Sequence, residues 1–217
     1  MIFGLRKFKA FISILACSGA FFAIHSESAE FEPNAVMKGW NLQPYLTYYE
    51  DKSGKLSFPE IQNIFRSGKS IPLFNSSLGY SAATIWVRIP VSNSEKRTKN
   101  WVLLFSYCLI DSLQFYSVRN GPSPLVVSGD KLPFATRLAE NRNFPFQLSE
   151  PPLSKNDYYI RIESRNSIIV PLSAYSRTQF LEQTAKEYTV LGLYYGTMLV
   201  MFIYNLFLLI TIRDNKL

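Results

Sequence analysis

From Tyr188 to Ile212 the chain reads YTVLGLYYGTMLVMFIYNLFLLITI, without one charged side chain. As a helix rising ~1.5 Å per residue, such a run crosses the ~30 Å hydrocarbon core of a bilayer. Inside lipid every backbone N–H and C=O must find its partner within the segment, so a helix is the form available to it. Tyr188, Tyr194 and Tyr195 crowd the front of the run, where amphipathic rings favour the headgroup level, and Arg213-Asp214 closes it. The competing reading, a helix buried in a soluble core, suits so long an uncharged run poorly. A transmembrane helix over 188–212 is expected.

The other end carries a second apolar run. Arg6, Lys7 and Lys9 precede Ala10 to Ile24, and the polar stretch His25 to Glu30 comes next. A basic start, a short apolar core and a small-residue exit predict a secretory signal peptide over 1–28, cleaved after Ser28. Two alternatives stay open: an uncleaved anchor, for which the run is short, and a lipoprotein signal ending at Cys17. A leader carries the segment behind it across the membrane, so residues from about Glu30 to Glu187 are expected outside the cytoplasm. Arg213 and Lys216 after the helix agree with the positive-inside rule, while Lys186 before it weakens the contrast.

The chain has 217 residues and one histidine, His25, which falls inside the leader. Without it, Ser-His-Asp and Cys-His catalysis and His-liganded metals are excluded. The two cysteines, Cys17 and Cys108, lie on opposite sides of the cleavage point, which leaves no internal disulfide. No metal and no cofactor are expected. The net charge of +7 is spread along the chain, and with the compartment this argues against nucleic acid as a partner.

Between the two apolar runs, residues 30–180 are of single-domain size. In Thr84 to Val91 the residues Ile85, Val87, Ile89 and Val91 share one face, with Trp86 and Arg88 on the other. Trp101 to Ser106 is nearly continuous apolar, as in a strand covered on both faces, and Leu113 to Val118 reads as its neighbour. Tyr158 to Glu163 and Ile168 to Leu172 add two more strands. Turn signals at Asn93-Ser94, Asn120-Gly121-Pro122, Gly129-Asp130 and Pro151-Pro152 separate them. Short strands with frequent turns predict an all-β fold, a jelly-roll-like β-sandwich. One helix is expected at Ser57-Phe58-Pro59-Glu60, where Ser and Glu have capping-box spacing.

Trp86-Val87-Arg88, Trp101 to Leu104, Leu109 to Tyr116, Gly129 to Phe134 with Arg137, Phe144-Pro-Phe146, Tyr158 to Arg161 and Pro171-Leu172 occur in a telling order. Together with Gly192 to Gly196, Tyr204 to Phe207 and Arg213-Asp214, this series resembles the bacterial seven-transmembrane receptors with diverse intracellular signalling modules (7TMR-DISM). The similarity is to their type 2 extracellular domain and first helix, and it runs from about Trp40 to Leu217. It implies a sensor in the inner membrane with its main domain in the periplasm or outside the cell. The implied ligand is a small, carbohydrate-like molecule, and the implied output is a kinase, cyclase or phosphatase module reached through seven helices. The sequence stops three residues after Asp214, so six further helices and the output module are expected to be missing from it.

The resemblance, with the stacking of sugars on aromatic rings and the forked donors of arginine, points to Trp86, Arg88, Tyr107, Arg137, Arg142 and Arg161 as ligand contacts. Gly192 and Gly196 form a small-residue pair for helix packing, and Asn205 is expected to hydrogen-bond to another helix of the same receptor or a polar cavity. Three other constellations read as ordinary structure. Tyr49 to Glu60 has EF-hand flavour, but Tyr49 stands where the first carboxylate ligand belongs, so a turn leading into a capped helix is expected. No carboxylate pair shows the fixed separation of a glycosidase, although a membrane-tethered carbohydrate-active enzyme stays as the alternative function. Cys108, in an apolar strand context, reads as an inert thiol.

Overall fold

The computed structural model describes residues 29–34, 36–133 and 141–214. The leader, with Cys17 and His25, and Arg137 lie outside them. Two antiparallel sheets face each other. The larger has the order β3 (Ile71–Pro72), β2 (Thr47–Asp51), β5 (Thr84–Asn93), β10 (Ser154–Glu163), β7 (Ser112–Ser117) and β8 (Val126–Ser128). The smaller runs β1 (Lys38–Asn41), β12 (Leu172–Ser176), β6 (Lys99–Phe105) and β9 (Phe144–Glu150). A two-stranded ribbon joins β11 (Ile168–Ile169) to β4 (Ser77–Gly79).

The alternation seen in the sequence places the core. Ile85, Val87, Ile89 and Val91 of β5, with Leu113 and Phe115 of β7 and Tyr158, Ile160 and Ile162 of β10, form the inner face of the large sheet. They meet Trp101, Leu103 and Phe105 of β6, Phe144, Phe146 and Leu148 of β9, and Leu172 and Ala174 of β12. Phe115 stacks on Phe146 across the layers at 4.4 Å between ring centroids. Phe31 inserts into the same core and forms a bridge to Val91, pinning the start of the described chain to β5.

The expected helix is α1 (Phe58–Arg66). Glu60 accepts hydrogen bonds from both the backbone N–H and the hydroxyl of Ser57, at 2.7 and 2.6 Å. The preceding turn is organised by Asp51, which accepts from Ser53 N, Ser53 Oγ, Gly54 N and Leu56 N. Burial works against the Asp51 charge, yet these four donors together outweigh it and hold its carboxyl below the ordinary 3.8. α1 lies on the outer face of the large sheet, where Phe58, Ile61 and Phe65 cover Trp86, Tyr116 and Tyr159.

Two expectations need correcting, and the terminal helix is longer than its apolar run. β6 and β7 are not neighbours: the segment 106–111 crosses from one sheet to the other, so β6 pairs with β9 and β12 while β7 pairs with β8 and β10. The run from Ile168 to Leu172 is two strands, because Pro171 has no N–H to continue a ladder. The terminal helix α2 (Arg177–Asp214) has 38 residues and begins well ahead of the apolar run. No linker separates it from β12. Ser176 ends the strand and its hydroxyl accepts from Gln179 N, while the Tyr175 and Phe180 rings meet edge to face.

The tyrosines make the fold sensitive to alkali. Burial pushes the Tyr158 hydroxyl up, helped by the neighbouring Glu150 carboxylate, and burial does the same to Tyr159 and Tyr116. Unfolded tyrosines ionise near their ordinary 10.0, where these still hold their protons in the fold. The contribution of these groups is complete below about pH 10 and is lost as pH rises toward their folded values. Tyrosinate absorbance and far-ultraviolet dichroism measured through an alkaline titration should change together. Tyrosines ionising at the ordinary pH with the dichroism intact would contradict this burial.

Candidate functional site

The sandwich has two distinct ends. The β5–β6 and β9–β10 turns, residues 94–98 and 151–153, lie at one end, and β12 reaches that end at Ser176, opposite Trp101. α2 therefore leaves from the turn-bearing end. At the opposite end the large sheet finishes at Asp51, Thr84, Ser112 and Glu163, which neighbour one another across the ladders. A cleft of about 720 Å³ opens there. Its walls come from the Gly54 turn, the segment Tyr80 to Thr84, Asp111-Ser112, Val127, Lys131-Leu132 and Glu163 to Arg165.

Local hydrogen bonds fix this lining. The turn after β8 docks on the start of β7: Asp130 N donates to Ile110 O at 2.8 Å, and Lys131 N to Asp111 O at 3.4 Å. Gly129 makes this approach with φ +154°, and a Cβ there would collide with the Asp111 carbonyl. Docking sets Lys131 Nζ 3.0 Å from the Asp111 carboxylate, which also accepts from Arg165 N at 3.2 Å. Chiefly through the Lys131 hydrogen bond, the Asp111 carboxyl is held below its ordinary value. Glu163 pairs with Arg161 at 2.5 Å and accepts from Thr84 Oγ1 at 3.4 Å. Tyr80 is 83% exposed at the rim. The site thus offers both signs of charge, hydroxyls from Ser81, Thr84, Ser112 and Ser164, and one open aromatic ring.

Both carboxylates in the lining are held by cations, and that of Asp111 is driven toward ionisation. A glycosidase acid needs the opposite, a carboxyl whose proton is retained near neutrality. Asp111 is thus held toward the form opposite to that of a glycosidase acid.

None of the described residues expected as ligand contacts lines this cleft. Trp86 is 1% exposed; α1 covers the outer face of β5, so the ring stacks on Phe58 instead of facing solvent. Arg88 pairs with Asp157 at 3.0 Å on the same face. Tyr107 is half-buried against the main core, and Arg142 is exposed just before β9. Arg161 sits one layer below the cleft. Its guanidinium lies 5.9 Å from the Trp86 ring centroid, bonds the Gly54 carbonyl at 3.2 Å, and holds Glu163. It positions two wall elements without lining the cleft. Asp111-Ser112 and Lys131-Leu132 fall inside strings that carried the family resemblance, but isolated Ser, Asp and Lys in turns have no periodicity to single them out.

α2 contains a span long and apolar enough to cross a membrane, and none of that window is buried in the described structure. Gly192 and Gly196 face open space. Asn205 bonds within its own helix. Its amide donates to the Met201 carbonyl one turn back at 2.7 Å, since the side chain is long enough to bond its own helix.

A search of curated proteins finds no match to this chain. A family profile described as 7TMR-DISM extracellular 2 matches residues 43–176. That match ends at Ser176, the last residue of β12, so the family unit and the two-sheet domain end together. The chain belongs to the 7TMR-DISM extracellular 2 family, as a receptor's extracellular domain followed by a membrane helix.

Proposed function

We propose that this domain senses a small carbohydrate-like ligand in the cleft at the end opposite α2. In this reading the helix sits in a bacterial inner membrane, a cleaved leader exports the domain to the periplasm, and further helices of the same receptor pack against α2. The observation carrying the proposal is the cleft itself, built from loops of a rigid sandwich with charges of both signs, four hydroxyls and an open tyrosine ring. Loops on such a scaffold are where binding groups concentrate, and sugars are taken by hydroxyl and charge contacts beside an aromatic face.

Lys131 offers the sharpest test, because its ammonium is about half exposed and belongs to the site rather than the core. Both hydrophobic clusters close without any residue of α2, so the soluble segment from Ala29 to Phe180 serves for titration. Calorimetry against a panel of neutral and acidic mono- and oligosaccharides should find a binder, and Lys131→Met should weaken it about tenfold to a hundredfold, the worth of one charged hydrogen bond. An exposed pair contributes little to stability, so the melting temperature should hardly move. Unchanged affinity for the binder would remove Lys131 from the site.

A further inference from the structure

The charges that line the cleft do not cancel. Glu163 is matched by Arg161, and Asp111 is matched by Lys131. The fourth charged residue of the lining, Arg165, has no such match. Its backbone N–H donates to the Asp111 carboxylate, but among the described residues its guanidinium makes no hydrogen bond and no ion pair. One oxygen, Asp111 Oδ2, takes both the Lys131 ammonium at 3.0 Å and the Arg165 N–H at 3.2 Å. Two cationic residues therefore converge on one corner of the cleft, around a single carboxylate. Carboxylates gather elsewhere: Glu50 accepts from Ser81 Oγ at 3.1 Å on the Ser81 wall, and Asp130 is exposed and outside the lining.

An exposed arginine on a loop is ordinary, and what sets Arg165 apart is where its backbone is held. Ser164 Oγ donates to Leu109 O at 3.4 Å, Asn166 N donates to Ser164 Oγ at 3.1 Å, and Arg165 N is tied to Asp111. These bonds fix the root of the side chain in the wall of the cleft. A guanidinium presents its donors as a planar fork that matches the two oxygens of a carboxylate. Such charge-assisted bonds are roughly twice as strong as those to a neutral hydroxyl, and a concave wall concentrates the field of the unmatched charge. A neutral sugar would leave the fork with hydroxyl oxygens alone. On the other side, Glu163 and Ser81 supply acceptors for sugar O–H groups, so the cleft is polarised across its width.

We propose that the ligand of this cleft is a sugar acid, whose carboxylate is gripped by the Arg165 fork with the Lys131 ammonium beside it. This rests on the saccharide reading of the cleft and adds the charge of its ligand. Calorimetry on the soluble segment tests it with glucuronate, galacturonate, mannuronate and N-acetylneuraminate, each beside its methyl ester. Neutral glucose, galactose and mannose, cationic glucosamine and galactosamine, and short oligomers of each sugar complete the set. At least one acid should bind tenfold or more tighter than its ester, with a preference that shrinks as salt is raised. Arg165→Gln should erase most of that preference and leave the ester's affinity unchanged, while Arg165→Lys keeps the charge without the fork and should retain part of it. The side chain is exposed, so neither variant should move the melting temperature. Esters or amino sugars binding as tightly as the acids would overturn the sugar acid and leave a saccharide cleft standing. A preference that survives Arg165→Gln would overturn the role of Arg165. Binding by none of these sugars would sink the saccharide reading and this inference with it.

Discussion

Trp86→Ala is expected to cost about 3–5 kcal/mol of stability, the range for removing a large aromatic side chain from a core. For a domain of this size that lowers the melting temperature by roughly 10–20 °C. The indole is 1% exposed, stacks on Phe58, lies 5.4 Å from the Tyr116 ring, and carries the Arg161 guanidinium above its face. Its removal opens a cavity under α1 and takes away the support on which Arg161 holds Gly54 and Glu163. A thermal melt with far-ultraviolet dichroism measures the loss. A ring that stacked on a ligand from the surface would behave otherwise, and its truncation would abolish binding while leaving the melt unchanged. That result would place Trp86 in a site after all.

Gly129→Ala is expected to act at the cleft. The new Cβ would strike the Asp111 carbonyl oxygen and stand 2.9 Å from Ser112 Cα, and both neighbours are backbone that cannot step aside. Relief requires the turn to lift off β7, breaking the bonds from Asp130 N and Lys131 N and drawing Lys131 away from Asp111. Overpacking of this kind costs about 1–3 kcal/mol. The larger effect should be on ligand affinity, since the lining loses a whole wall element and not one donor. A variant with wild-type affinity and a full melt would show that the turn adapts, and would contradict a preorganised cleft.

These two residues mark what the sequence made legible. Alternation in β5 showed that Trp86 faces away from Val87, and Ser57 with Glu60 announced the start of α1. Nothing local said that α1 would lie over Trp86, because a covered outer face and a solvated one differ only through a distant segment. The crossing between β6 and β7 was hidden for the same reason: adjacent strands in sequence are often neighbours in a sheet, and the loop that breaks the rule has no signature. The apolar run of α2 was plain, whereas Arg177 to Glu187 mixes charges with half-buried positions and gave only a weak helical pattern. The cleft was illegible as a site. Thr84, Ser112 and Glu163 come together only through strand register, a long-range property that no short window of residues contains.

The central claim is that the cleft opposite α2 is where this receptor domain meets its ligand. Backbone amide chemical shifts of the isotope-labelled soluble segment, recorded during titration with the sugar found by calorimetry, test it most directly. The account predicts that the shifted amides cluster at Tyr80 to Thr84, Asp111-Ser112, Lys131-Leu132 and Ser164-Arg165, with those of residues 94–98 and 151–153 unmoved. Saturable shifts confined to the turn-bearing end or to the face around α1, with the cleft amides silent, would contradict it.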